Sequence, residues 1–135
     1  MKAHLTRRYW FAASHRLHSE KLTAEQNREV YGKCNNPYGH GHNYALEVTV
    51  SGPVAQDTGF VMNLPELDQV VKEQVLERFD HQNLNFVVEF RDVVPTTENL
   101  CISIFEILKR KMSGVHLDKV RLEETSKNSF EVVWE

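Results

Sequence analysis

From His40 to Ser51 the chain alternates, with Tyr44, Leu46, Val48 and Val50 on one side and Asn43, Glu47, Thr49 and Ser51 on the other. A period of two over that length is the signature of a strand with one buried face. The strand opens with His40-Gly41-His42, and residues two apart project from the same face. Two imidazoles therefore emerge at the head of an apolar face, where an unpaired polar group is costly. Any fold this chain adopts must give both rings a partner.

The other elements follow from local signals. Leu5 to Ser14, rich in Tyr9, Trp10 and Phe11, reads as a first strand. The polar stretch SEKLTAEQNREVYG reads as a loop with a short helix ending at Gly32. SGPVAQDTG is a turn leading to a short extended piece, FVMN, which is expected to complete a hairpin. NLPELDQVVKEQVLERF reads as a helix, with Asn63 as cap, Pro65 in the first turn, and Leu67, Val71 and Val75 on the buried face. A second helix starts near Thr96 or Thr97, carries Cys101, Ile104, Phe105, Leu108 and Met112 on one stripe, and is stopped by Gly114. HLDKVRLEET and SFEVVW close the chain as two strands around Ser126-Lys127-Asn128. The order β-β-α-α-β-β predicts an α+β sandwich, an antiparallel four-stranded sheet with two helices on one face. At 135 residues, with no repeat or linker, residues 1–135 read as a single domain.

A third imidazole is available for His40 and His42. His15 in FAASHRL shares the parity of Tyr9, Phe11 and Ala13, and His18 competes with it. Three histidines with one open position make a catalytic rather than a structural metal site. Cys34 as a fourth ligand would close that site, and spacing alone leaves both arrangements open. Cys101, on the helix stripe, reads as a small apolar filler, and His4 and His116 as surface or packing residues.

Charge and composition exclude several classes. A formal net charge of −3 gives no reason to expect a nucleic-acid partner or an acidic membrane surface. No apolar run approaches the roughly 20 residues of a membrane span. The N-terminus lacks the apolar core of a secretory signal, and two cysteines make no disulfide framework. The expected location is cytoplasmic.

FAASHRL, GKCNNPYGHGHNY, MNL, DHQNLN, TTEN and EET occur in an order that resembles the 6-pyruvoyl-tetrahydropterin synthase family, from about Tyr9 to the C-terminus. The resemblance implies a T-fold whose strands pair around a trimer into a barrel. Two trimers would stack into a homohexamer with active sites at subunit interfaces. It implies that His15, His40 and His42 hold Zn2+, that Cys34 is the catalytic base rather than a ligand, and that Asp80 orients the adjacent His81, the pair lying across a subunit boundary from Cys34. The implied substrate is 7,8-dihydroneopterin triphosphate. Triphosphate is eliminated, and the side chain is oxidised as the ring is reduced, giving 6-pyruvoyl-tetrahydropterin for tetrahydrobiopterin biosynthesis. No nicotinamide or flavin is needed. Magnesium can travel with the triphosphate, although no carboxylate cluster marks a magnesium site built by the protein.

A carboxylate has to accept the adjacent N–H donors of the pterin. Alternation puts Glu124 inward with Val120 and Leu122, and Glu124 precedes Thr125 as in the family's Glu-Thr. Thr96, Thr97 and Glu98 resemble the family's second pterin-contacting segment, and the same residues suit a helix N-terminus. Arg16, Lys33 and Lys127 lie near the motifs as cations for the triphosphate. The alternative product is 6-carboxy-5,6,7,8-tetrahydropterin from the same substrate, for deazapurine (queuosine) synthesis. Five residues separate Cys34 from His40, where relatives of that branch place the cysteine closer. A non-enzymatic zinc or pterin-binding module is the alternative of a different class.

Overall fold

The computed structural model describes residues 1–134. Four long strands form its frame: β1 (Ala3–His15), β2 (His40–Gly52), β4 (His116–Glu123) and β5 (Ser129–Val133). They pair antiparallel in the order β1-β2-β4-β5. The sheet nevertheless has five strands, not the expected four, and is mixed. β3 (Gln82–Asn83) joins the free edge of β1 in parallel. Its cause is a clamp just before it. The backbone N–H of Ala12 donates to Asp80 Oδ1 at 2.9 Å, and that of His81 donates to the Ala12 carbonyl at 2.6 Å.

Between strands lie α1 (Ala24–Tyr31), a 3-10 turn at Gly32–Asn35, and α2 (Leu64–Val71). α2 runs through a π-helical turn (Lys72–Leu76) into α3 (Glu77–Phe79), and α4 (Thr97–Lys111) follows two short 3-10 turns. Asn63 and Thr96 accept from Glu66 N and Asn99 N, capping α2 and α4 as their positions before apolar runs predict. α4 ends at Lys111, before Gly114, because Met112 already turns extended. FVMN forms no strand. Both sides of β2 are taken by β1 and β4, so residues 53–62 close on themselves, Ala55 N donating to Phe60 O at 3.0 Å. No described helix is long and apolar enough to cross a membrane.

The inward parity of β1 and β2 (Tyr9, Phe11, Tyr44, Leu46, Val48, Val50) meets Leu67, Val71, Val75 and Phe79, together with Leu100, Ile104 and Leu108 of α4, in one buried cluster. Each such side chain contributes about 1.5–3 kcal/mol by leaving water. Arg7 donates through two nitrogens to Asp68, at 3.1 and 3.0 Å, and Tyr9 Oη donates to the same carboxylate at 2.7 Å, tying α2 to β1.

Asn27 is a buried polar hub on α1. Its Oδ1 accepts from Ser19 N, and its Nδ2 donates to the carbonyls of Ser19, Leu22 and Thr23. Asn27→Ala orphans these groups and is expected to lower stability by about 1–3 kcal/mol, read from urea unfolding midpoints. An unchanged midpoint would mean that water replaces the amide at no cost.

Candidate active site

The antiparallel register brings the histidines together. His15 ends β1 directly opposite His40, which begins β2, and His42 lies opposite Ala13. All three rings stand edge-on to one another, with centroids 4.8–5.1 Å apart. One ligand atom from each lies within 4.8 Å of the others, so the three could hold a metal ion together. His18 is elsewhere. Its Nδ1 meets Asn35 Nδ2 at 3.1 Å and its Nε2 lies 3.6 Å from Glu20. Among the described residues the metal-holding group comprises these three histidines, without Cys34.

The Pro95 carbonyl, which can only accept, lies 2.8 Å from His15 Nδ1. Nδ1 must therefore carry the proton, leaving Nε2 with a free lone pair. That Nε2 lies 3.2 Å from His40 Nε2. Burial lowers the pKa of His15 and, to the same effect, that of His40. Neighbouring rings of the cluster add to both shifts, so neutral, metal-competent imidazoles are favoured.

Glu124 follows β4 on the inward side. Its Oε2 lies 4.0 Å from His15 Nε2 and 3.8 Å from His42 Nε2, and Thr97 Oγ1 donates to it. Thr97 is 2% exposed, at the start of α4. Glu123 points the other way, 3.8 Å from Arg121 Nη2. Tyr44 is fully buried in this same region, and its hydroxyl has no hydrogen-bond partner among the described residues. Thr96 is taken up in capping α4, and Glu98 is an exposed first-turn residue.

Cys34 sits in the 3-10 turn, half-buried, and its carbonyl accepts from Leu17 N at 2.8 Å. This bond braces the cysteine loop against the chain leaving His15. Burial, and then the Glu124 carboxylate, push the Cys34 thiol pKa up. Both effects favour the thiol over the thiolate, and nearby positive charge would act in the opposite sense.

Asp80 and His81 form a second constellation. Asp80 Oδ1 lies 3.0 Å from His81 Nδ1 while also accepting from Ala12 N. His81 has φ 60, the left-handed region that non-glycine residues seldom adopt, and the Ala12 clamp holds it there. The ring is 82% exposed and borders a concavity of about 510 Å3 along β1 and β2. No hydrogen bond or ion pair among the described residues links this pair to Cys34.

Sequence reasoning missed the groups that position the site residues. Pro95 acts through a backbone carbonyl, and Ala12 through both of its main-chain groups, which no side-chain motif reveals. Asn35, buried and donating to Leu17 O at 2.7 Å, was visible only as one letter of the cysteine motif.

A family model described as 6-pyruvoyl tetrahydropterin synthase matches residues 4–135. A 6-pyruvoyl tetrahydrobiopterin synthase of Poecilia reticulata is 48% identical over 126 residues, covering 93% of this chain and 86% of the relative. The Homo sapiens protein of that name is 45% identical over 128 residues, covering 94% and 88%. The structure of Caenorhabditis elegans 6-pyruvoyl tetrahydropterin synthase superposes with a TM-score of 0.94 at 43% identity, covering all of this chain and 97% of the other.

Proposed function

The chain belongs to the 6-pyruvoyl tetrahydropterin synthase family, and from that premise we propose that it converts 7,8-dihydroneopterin triphosphate to 6-pyruvoyl-tetrahydropterin and inorganic triphosphate. The observation that carries this reading is the trio of histidine nitrogens within 4.8 Å of one another, bordered by the Glu124 carboxylate. We assign the trio to zinc. Three imidazole nitrogens within 4.8 Å of one another, those of His15 and His40 3.2 Å apart, are a donor set that would suit zinc. The orientation of His15 by its hydrogen bond to the Pro95 carbonyl also suits that ion. When bound, zinc supplies Lewis-acid polarisation of the side-chain hydroxyls, acidifying the neighbouring C–H.

The roles of the chain's own residues follow from their chemistry. Glu124, steadied by the Thr97 hydroxyl, accepts the paired amino and ring N–H donors of the pterin. The start of α4, with Thr96, Thr97 and Glu98, flanks the ring. Cys34, as thiolate, takes the carbon-bound proton. Hydrogen then moves from side chain to ring, so the side chain is oxidised and the ring reduced with no outside electron carrier.

The charge that activates Cys34 comes from His81 of a neighbouring subunit, oriented by Asp80. The assembly we propose is a homohexamer built from two trimers, the sheets closing into a barrel. Mixing Cys34→Ala chains with His81→Ala chains tests this arrangement. Each homogeneous variant should be nearly inactive, while co-refolded mixtures should regain roughly a quarter of the sites, as random assortment across an interface dictates. No recovery would mean that both residues act within one chain.

The reaction itself is tested by mass spectrometry after incubating zinc-loaded protein with the triphosphate substrate. 6-Pyruvoyl-tetrahydropterin with inorganic triphosphate is expected. Acetaldehyde with 6-carboxy-tetrahydropterin would move the chain to the other branch.

A further inference from the structure

The chain is net acidic, and Arg7, Arg8, Arg78 and Arg121 each meet a carboxylate. Arg16, Arg28 and Lys33 do not. Among the described residues none of the three is ion-paired, and all three converge on one concavity of about 280 Å3 with no acidic residue in its wall. Asn35 and Asn36 supply the neutral polar groups of the same wall. Two wall residues, Lys33 and Asn35, bracket Cys34 in sequence, and Arg16 directly follows His15.

The cations are held in place by local structure. Gly32 caps α1 with φ 55, its N–H donating to the Arg28 carbonyl. This left-handed residue folds the chain back, so that Arg28 and Lys33 border the same hollow. Arg16 Nε donates to the Asn35 carbonyl at 3.1 Å, which fixes the stem and leaves the two terminal nitrogens without a protein partner among the described residues. The Arg16 backbone is clamped from both sides by Asn85, with bonds of 2.7 and 2.9 Å. Surface cations that are merely solvated need neither a frame nor a shared concavity.

We infer that this hollow, walled by Arg16, Arg28 and Lys33 beside Cys34, is the binding site for the polyphosphate tail of the substrate. The inference rests on the function proposed above. Lys33 and Asn35 of this wall share the Gly32–Asn35 turn with Cys34, so a substrate whose reacting carbons are held at Cys34 has these groups on the same turn as its base. Guanidinium pairs suit phosphate oxygens bidentately, while Lys33 acts as a compact point charge. Positive charge there also stabilises triphosphate as it departs with the bonding electrons.

The test uses the zinc-loaded protein and inorganic triphosphate as probe, with calorimetric affinity and steady-state kinetics measured side by side. Arg28 and Lys33 are exposed, so Arg28→Ala/Lys33→Ala leaves the core untouched. The double variant should weaken inorganic triphosphate binding by about tenfold or more and raise KM for the triphosphate substrate to match. Affinity for unphosphorylated 7,8-dihydroneopterin should be unchanged. Arg16→Lys, which keeps charge but loses the fork, should give a smaller loss in the same two readouts. Lys111→Ala, which removes a cation from the far end of α4, should alter neither. Unchanged triphosphate affinity in the double variant would overturn the assignment, as would equal weakening of dihydroneopterin, which would indicate a structural role. Failure of the wild-type protein to turn over the substrate would strike the functional reading instead, and the calorimetric result would still decide the anion site.

Discussion

Replacing Cys34 by alanine is expected to lower kcat by about 10^2–10^4-fold, the span typical of a lost general base, while zinc stoichiometry and the unfolding midpoint stay where they were. The thiol is half-buried on a short 3-10 turn and stands outside the three-histidine group, so its removal takes away neither a ligand nor a core side chain. The loop should persist, because its tie to the chain leaving His15 runs through the Cys34 carbonyl, which alanine retains. Metal analysis and kinetics on the same preparation decide the matter. Loss of zinc with activity would make Cys34 a fourth ligand and the centre structural. Retained zinc with retained activity would remove the cysteine from the chemistry.

His40→Ala should abolish turnover and weaken zinc by well over 100-fold, since even the groups that hydrogen-bond metal ligands are worth about 10–100-fold. His40 is the informative choice of the three. His15 is 1% exposed and packed beneath the strand ends, so removing it would also open a cavity. His40 lies at the rim, and its loss leaves the apolar cluster under α2 and α4 intact. The variant should therefore unfold cooperatively near the midpoint of the metal-free wild type, unlike a zinc module that folds only when metallated. Zinc content by elemental analysis, with thermal unfolding, checks both halves. A variant that binds zinc normally would exclude the trio as the metal site. One that cannot fold would return the metal to a structural role.

Much of the site was legible because its signals are short-range. The step of two between His40 and His42 puts both rings on one face in any strand, and the long alternation behind them leaves no other element available. Asn63 and Thr96 announce helix starts through a hydroxyl or amide that satisfies a nearby N–H. Glu124 was separable from Glu123 by alternation, and the pairing of Leu46 with Leu122 carries that parity across to the histidine side.

The rest depended on pairings between distant segments. FVMN had the composition of a strand, but β1 and β4 already occupied both sides of β2. Gln82–Asn83 had no strand signal and became one because Asp80 reaches Ala12 across the edge of β1. His15 and His18 were equivalent candidates until antiparallel register set His15 against His40 and left His18 with Asn35.

The sequence alone thus determined the periodicities, the helix caps and the types of chemical group available, because these depend on residues within one or two turns of each other. Only the tertiary structure decided which of those groups meet. Register, edge occupancy and the reach of a carbonyl such as that of Pro95 are properties of two segments at once, and neither segment encodes them by itself.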